Sequence, residues 1–232
     1  MNRVLAAARL QVVHPLVILG IPWLVVGISF AINVAIWGLA GLRDVPEAGF
    51  TGGVLALYIT VCVVFVQAVT QLLPFAMGVS LSRRTYWLGV SLVGVLSALG
   101  YGIALAVLDA IGDATDGWGV GLSFWAPEPM QADNFFLQVL VSGAPMLAFI
   151  FSGIGMGVVV KRWGPNGLWA LALAALLLFG GLAVLITGLG AWTTVGDWLG
   201  DRSLATLSIG LPLVVGAVVA ALSFAGIRRV VP

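Results

Sequence analysis

The chain has 232 residues, of which 61% are hydrophobic and only 8% are charged, and its formal net charge is +1. A soluble domain carries about 25% charged residues, so this chain lacks the polar surface that would cover a globule in water. The mean hydropathy of +1.16 indicates that lipid is the solvent for most of it. The sequence has no basic stripe with interleaved aromatic residues, so no nucleic-acid partner is predicted.

Six stretches of the chain lack Asp, Glu, Lys and Arg and are long enough to cross a bilayer, which takes about 20 apolar residues. Transmembrane β-strands would be about 10 residues of alternating polarity, a pattern these stretches do not follow. We therefore predict an all-α, polytopic membrane protein that forms a single transmembrane domain over residues 1–232. The six transmembrane helices are predicted at about 15–41, 53–79, 86–109, 135–160, 167–188 and 206–227.

If the chain crosses the membrane six times, its basic and acidic residues lie mainly on opposite sides. All nine acidic residues then fall on one side, and eight of the ten basic residues fall on the other. The positive-inside rule makes the basic side cytoplasmic, so we predict that both termini are cytoplasmic and that the chain lies in a bacterial cytoplasmic (inner) membrane. The eight residues are Arg3, Arg9, Arg83, Arg84, Lys161, Arg162, Arg228 and Arg229.

The segments outside the spans are predicted to lie at the lipid interface. An interfacial helix is expected over about 2–13, ahead of a first apolar run that is too long for the 7–15-residue core of a signal peptide. Trp118, Phe124 and Trp125 in the link between spans 3 and 4 are typical of an interfacial segment. The link between spans 5 and 6 is expected to form short interfacial or re-entrant helices.

Residues for catalysis or metal binding do not cluster in the sequence. Cys62 is the only cysteine and His14 the only histidine, and no charged residue lies in the middle of a predicted span. Buried ionisable groups usually carry catalysis or ion coupling inside a membrane, so we predict no catalytic residue, no metal and no enzymatic activity. A GxxxxGK[ST] phosphate loop is also missing, so this chain is not expected to hydrolyse ATP.

Neutral polar residues inside the predicted spans allow two interpretations. Gln67 and Gln71 are four residues apart and share a helical face with Thr70 beside them. The stripe either forms hydrogen bonds between helices or lines a polar translocation path. The possible path residues are Asn33, Gln67, Thr70, Gln71 and Gln138.

Gly153 and Gly157 form a GxxxG pair in the fourth predicted span. Such a pair lets two helices approach closely, either within one chain or across a dimer interface.

The most specific stretch runs from Pro74 to Gly89 and reads PFAMGVSLSRRTYWLG. It ends one span, turns through two arginines and enters the next span at once. Arg83 and Arg84 can be simple topology determinants. The pattern of Met-Gly-Val-Ser, then Ser-Arg-Arg-Thr-Tyr, then Leu-Gly also resembles the permease subunits of ABC-2 type bacterial ABC exporters, particularly small actinobacterial ones with six spans.

That resemblance implies that the turn is a coupling helix which docks on a separate ATP-binding subunit. ATP and Mg would be bound by that subunit and no cofactor by this chain, and a second permease copy, identical or paralogous, would complete the transporter within membrane lipid. The implied contact surface consists of Ser80, Ser82, Arg83, Arg84, Thr85 and Tyr86.

Three functions therefore remain open from the sequence. The first is a permease subunit of an ATP-driven exporter that moves a hydrophobic or amphipathic cargo. The second is a membrane assembly or immunity protein that binds a partner and transports nothing. The third, a small lipid-modifying enzyme, is disfavoured because no ionisable centre is visible. The apolar spans favour a lipid-like cargo over a sugar or metal ion.

Overall fold

The computed structural model describes residues 3–12, 16–42, 51–127 and 130–230. Within these ranges the chain is helical and contains no strand, which confirms the predicted all-α class. The ends of the predicted interfacial helix, His14 and most of the first outer link (43–50) lie outside the described residues. The helices are α1 Arg3–Gln11, α2 Leu16–Ala40, α3 Leu55–Gly78, α4 Arg83–Ala114, α5 Phe135–Gly188, α6 Trp192–Gly200 and α7 Thr206–Ile227.

Five helices, α2, α3, α4, α5 and α7, are long and apolar enough to cross a membrane, as in a multi-pass membrane protein. Helix α5 has 54 residues, which corresponds to about 80 Å at 1.5 Å per residue and far exceeds a bilayer core of about 30 Å. Its backbone leaves the helical region at Gly164, where φ is 68° and ψ is −166°. This break divides α5 into a first arm (135–163) and a second arm (165–188).

Helix α4 is longer than the predicted third span of 86–109, since it begins at Arg83 and ends at Ala114. The sequence limits were set by hydrophobicity, whereas the helix continues into its polar ends because its backbone hydrogen bonds remain satisfied there. Helix α6 occupies the link in which short helices were expected.

The first arm of α5 forms the centre of the bundle and packs against α3, α4 and α7. Gly153 and Gly157 both face α3. A Cβ atom at Gly157 would lie 2.6 Å from Cβ of Val69, and one at Gly153 would meet the carbonyl oxygen of Cys62. The GxxxG pair is therefore a contact between two helices of this chain. Only glycine leaves room for α3 at this distance.

The second arm of α5 makes few packing contacts with the rest of the described residues. None of its residues is buried, and the side chain of Leu177 is 75% exposed. In a bilayer this arm is available to lipid or to another helix.

The link after α4 folds into the protein, which corrects the prediction that its aromatic residues lie at the lipid interface. Phe124 and Trp125 are buried, at 1% and 6% exposure. Their rings pack with centroids 5.2 Å and 5.1 Å from the ring of Phe30 in α2. The ring of Phe124 also packs against Gly53, where any side chain would collide with it. The missing side chain at Gly53 opens the space that this link fills.

Basic residues cluster at one end of the bundle and acidic residues cluster at the other. At one end Nε1 of Trp87 donates to Oγ of Ser223 at 3.0 Å, so the start of α4 lies beside the end of α7. We call this the basic end because Arg83, Arg84, Arg228 and Arg229 are in these two segments. At the other, acidic end, one cleft is lined by Asp109, Asp113 and Asp116.

Candidate functional site: the arginine turn

The arginine turn, residues 79–85, begins with a cap that ends α3. Ser80 has a left-handed backbone with φ of 63°. Its N–H donates to the carbonyl oxygen of Met77 and the N–H of Leu81 donates to that of Ala76, both at 3.0 Å. These two bonds form a Schellman motif, in which the left-handed position is usually glycine. A serine there is strained by its Cβ atom, so Ser80 holds a conformation that the surrounding hydrogen bonds impose.

Ser82 caps the start of α4. Its extended backbone (φ −72°, ψ 149°) precedes the helix, and its Oγ accepts from the backbone N–H of Thr85 at 3.1 Å. The hydroxyls of Ser82 and Thr85 also lie 2.8 Å apart. This reciprocal arrangement resembles a capping box. The hydroxyls of two predicted contact residues thus stabilise the start of the helix that carries the arginines.

Arg83 and Arg84 occupy the first positions of α4. The side chain of Arg84 is exposed, whereas that of Arg83 is half-buried and its Nε is buried without a hydrogen-bond partner among the described residues. The first turn of α4 holds no acidic residue. The N-terminus of a helix already carries a partial positive charge, so two arginines there repel it and concentrate positive potential at the turn. A carboxylate from outside this chain would relieve that repulsion.

Tyr86 corrects one part of the predicted contact surface, because its side chain is 0% exposed. The phenol donates to the carbonyl oxygen of Ala68 at 2.7 Å and accepts from Nε2 of Gln11 at 2.8 Å. An aromatic ring beside two arginines looks interfacial in sequence, but here it points between α1, α3 and α4. Tyr86 therefore positions the turn and is not part of its surface.

Helix α1 docks on the start of α4. A Cβ atom at Gly89 would lie 2.6 Å from Cβ of Ala7 and 2.9 Å from the backbone nitrogen of Ala8, so glycine is required for this approach. Gln11, one turn after Ala7, is buried on the same face. Gln11 was not predicted from the sequence, although its four-residue spacing from Ala7 was the available indication that both face the protein.

The predicted path residues do not come together in one site. Asn33 accepts from Oγ1 of Thr51 at 2.8 Å, and Gln138 accepts from the backbone N–H of Ala132 at 2.7 Å. Both bonds fasten links at the acidic end of the bundle. Thr70 donates to the carbonyl oxygen of Val66 in its own helix at 3.0 Å. Asn33, Thr70 and Gln138 thus have structural hydrogen bonds.

Gln67 and Gln71 line a crevice of about 110 Å³ together with Gln11. Two π-helical turns, Leu16–Gly20 in α2 and Ala68–Leu72 in α3, contribute to its walls. The Oε1 of Gln11 is buried and lacks a hydrogen-bond partner within the described ranges. The crevice is too small for a large cargo, and it lies between α1, α2 and α3.

Comparison with protein-family models, with curated proteins and with solved structures finds no match for this chain. Its function must therefore be argued from the residues themselves.

Proposed function

We propose that this chain is the membrane-spanning permease subunit of an ATP-driven exporter of the ABC-2 type, coupled through the arginine turn to a separate ATP-binding subunit. The observation that carries the proposal is the electrostatics of the turn. Two arginines stand at the positive end of α4, the first turn of that helix holds no acidic residue, and the side chain of Arg84 is exposed. An acidic surface on a partner protein supplies the carboxylates that this arrangement favours, because arginine binds carboxylates through paired hydrogen bonds.

The connections of the turn support a mechanical role. Tyr86 ties the first turn of α4 to α1 and α3, and Trp87 ties it to α7 through Ser223. A displacement of the turn by a partner is therefore passed to several helices together. Such coupling suits a rigid-body switch, in which ATP-driven closure of two partner subunits tilts the bundle.

The proposal includes six membrane crossings, with both termini in the cytoplasm of a bacterial inner membrane. The break at Gly164 supports this count, because each arm of α5 is about 35–45 Å long at 1.5 Å per residue and so matches one crossing. The link between the arms then lies at the basic end with the arginine turn. The positive-inside rule assigns that end to the cytoplasm.

ATP and Mg would be bound by the partner subunit, and a second permease copy would complete the transporter. The exposed second arm of α5 and the apolar spans favour a hydrophobic or amphipathic cargo that moves along the protein–lipid boundary. The contact surface is revised to Ser80, Ser82, Arg83, Arg84 and Thr85.

The test compares two charge reversals of equal size at the same end of the bundle. Arg83→Glu/Arg84→Glu alters the turn, whereas Lys161→Glu/Arg228→Glu alters basic residues outside it. We expect the tagged wild type and the Lys161/Arg228 variant to co-purify from native membranes with a protein that contains a phosphate-binding loop. The Arg83/Arg84 variant is expected to lose that protein while it still inserts into the membrane.

Equal recovery of the ATPase with both variants would show that the turn is not the coupling surface. If no protein with a phosphate-binding loop co-purifies even with the wild type, the non-transporting assembly or immunity function becomes the better explanation.

A further inference from the structure

A groove opens at the basic end between the two arms of α5 and α7. It encloses about 640 Å³. The first arm contributes a continuous helical face to its wall, and α7 contributes a matching face that ends near Arg229. The second arm closes one side through Leu171. None of these residues belongs to the arginine turn.

The groove has the length of one lipid leaflet. Its wall on the first arm extends from Ser152 to Trp163, which corresponds to about 16 Å at 1.5 Å per residue. Half of a bilayer core of about 30 Å is about 15 Å. Gly155 and Gly226 let α7 pack closely against the first arm along the groove, since a Cβ atom at Gly226 would lie 2.9 Å from Cγ1 of Val158 and one at Gly155 3.0 Å from Cγ1 of Val219.

Charge is confined to one end of the groove. Arg162 and Arg229 line its mouth, both side chains are exposed, and no Asp or Glu is among the described residues that line it. The guanidinium of Arg162 stacks over the ring of Trp163, 4.3 Å from its centroid. Stacking fixes the plane of the guanidinium and leaves its edge free, which is the geometry that arginine uses to bind a phosphate through two hydrogen bonds.

We infer that this groove is a binding site for one anionic phospholipid, with its phosphate held between Arg162 and Arg229 and an acyl chain along the apolar walls. The site takes a molecule that is negative at one end and apolar over the depth of one leaflet. The inference goes beyond the permease proposal and does not depend on it, since an anionic lipid would bind here whether or not an ATPase docks on the arginine turn.

A second copy of this chain is a poorer occupant. Two copies inserted in the same direction and related by a two-fold axis along the membrane normal bring the same end of each bundle together. The partner's basic end would then meet Arg162 and Arg229, and like charges would repel. A phospholipid brings the opposite charge to the same position.

The experiment uses two double variants with the same loss of charge. Arg162→Gln/Arg229→Gln removes the groove arginines, and Lys161→Gln/Arg228→Gln removes their immediate neighbours, which do not line the groove. Each purified protein is reconstituted in phosphatidylcholine nanodiscs and titrated with spin-labelled phosphatidylglycerol. In a third variant, Ala225→Trp, a large side chain fills the groove without a change of charge.

We expect phosphatidylglycerol to bind the Arg162/Arg229 variant roughly 25-fold more weakly than the wild type, which corresponds to about 1 kcal/mol for each basic residue lost near the membrane surface. The control double variant should bind at least about tenfold more tightly than the groove variant. Ala225→Trp should exclude the lipid while it keeps the wild-type helix content. Phosphatidylcholine should bind the wild type and the three variants with equal affinity.

Equal affinity of the two double variants would overturn the inference, as would unchanged binding by Ala225→Trp. Displacement of the labelled lipid by millimolar inorganic phosphate would show a site for free phosphate instead of a phospholipid, and would also overturn it. A wild-type dimer that excludes the lipid and dissociates on Ala225→Trp would identify a second copy as the occupant. None of these measurements involves an ATPase, so their failure leaves the permease proposal intact.

Discussion

The side chain of Gln11 in α1 donates a 2.8 Å hydrogen bond to the phenol of Tyr86 in the first turn of α4, 75 residues later in the chain. The same phenol donates to the carbonyl oxygen of Ala68, so one oxygen joins three helices directly beneath the arginine turn. This buried hydroxyl therefore helps to fix the position of the turn relative to α1 and α3, together with the packing of Ala7 on Gly89.

Removal of that hydroxyl should loosen the basic end of the bundle. Tyr86→Phe leaves the carbonyl oxygen of Ala68 and Nε2 of Gln11 without their partner, and we expect stability to fall by about 1–3 kcal/mol. Gln11→Leu should cost less, because it also removes the buried Oε1, which has no hydrogen-bond partner among the residues that the structure describes. Unfolding of both single variants and the double variant in mixed micelles gives the coupling energy. Strict additivity of the two effects would contradict the proposed link.

The left-handed backbone of Ser80 allows its conformational role in the turn to be tested separately from any contact that its hydroxyl makes with a partner. Ser80→Gly should raise stability by about 1 kcal/mol, because glycine adopts φ of 63° without the strain of a Cβ atom. Ser80→Val should lower it by at least that amount. Thermal unfolding midpoints in detergent measure both effects. If Ser80→Gly also keeps full association with the proposed ATP-binding partner, Ser80 shapes the turn and its hydroxyl does not contact that partner.

Helix packing at Gly157 should be intolerant of a side chain. Gly157→Val forces a new methyl group against Val69 in α3, and overpacking of this kind costs about 1–3 kcal/mol. Gly100→Val is the matched control, since it is the same change within a helix but nothing lies within 4 Å of a Cβ atom there. Denaturation in micelles compares the two variants. A similar loss of stability in both would mean that helix propensity, rather than the approach of α3, explains the effect.

The assignment of the basic end to the cytoplasm is tested by cysteine accessibility. In a Cys62→Ser background, Arg84→Cys should react with a membrane-impermeant maleimide only after the cells are permeabilised. Gln131→Cys, which is exposed at the acidic end, should react in intact cells. Both positions lie outside the core of the bundle, so either cysteine should leave the fold unchanged. If Arg84→Cys reacted in intact cells and Gln131→Cys did not, the basic end would lie outside the cell. The coupling proposal would then be wrong.

The helical character and the membrane-spanning lengths followed from the sequence because they depend on the local density of apolar residues. About 20 consecutive apolar residues need no particular neighbour to prefer lipid over water. The separation of basic and acidic residues into different links could also be predicted, because it depends only on which residues lie between the apolar stretches. Ser82 and Thr85 were predicted as residues of a partner-binding surface, and in the structure they interact with each other at the start of α4.

Only the tertiary structure decided which side of each helix faces the protein. Tyr86, Phe124 and Trp125 have the composition of interfacial residues, yet all three are buried because α1, α2 and α3 supply partners distant in sequence. Arg162 lies in α5 and Arg229 follows the end of α7, and the groove they share exists only because α7 packs beside the first arm of α5. Hydrophobicity determines how deep a residue lies in the membrane, but the direction of its side chain is set by long-range contacts that composition does not contain.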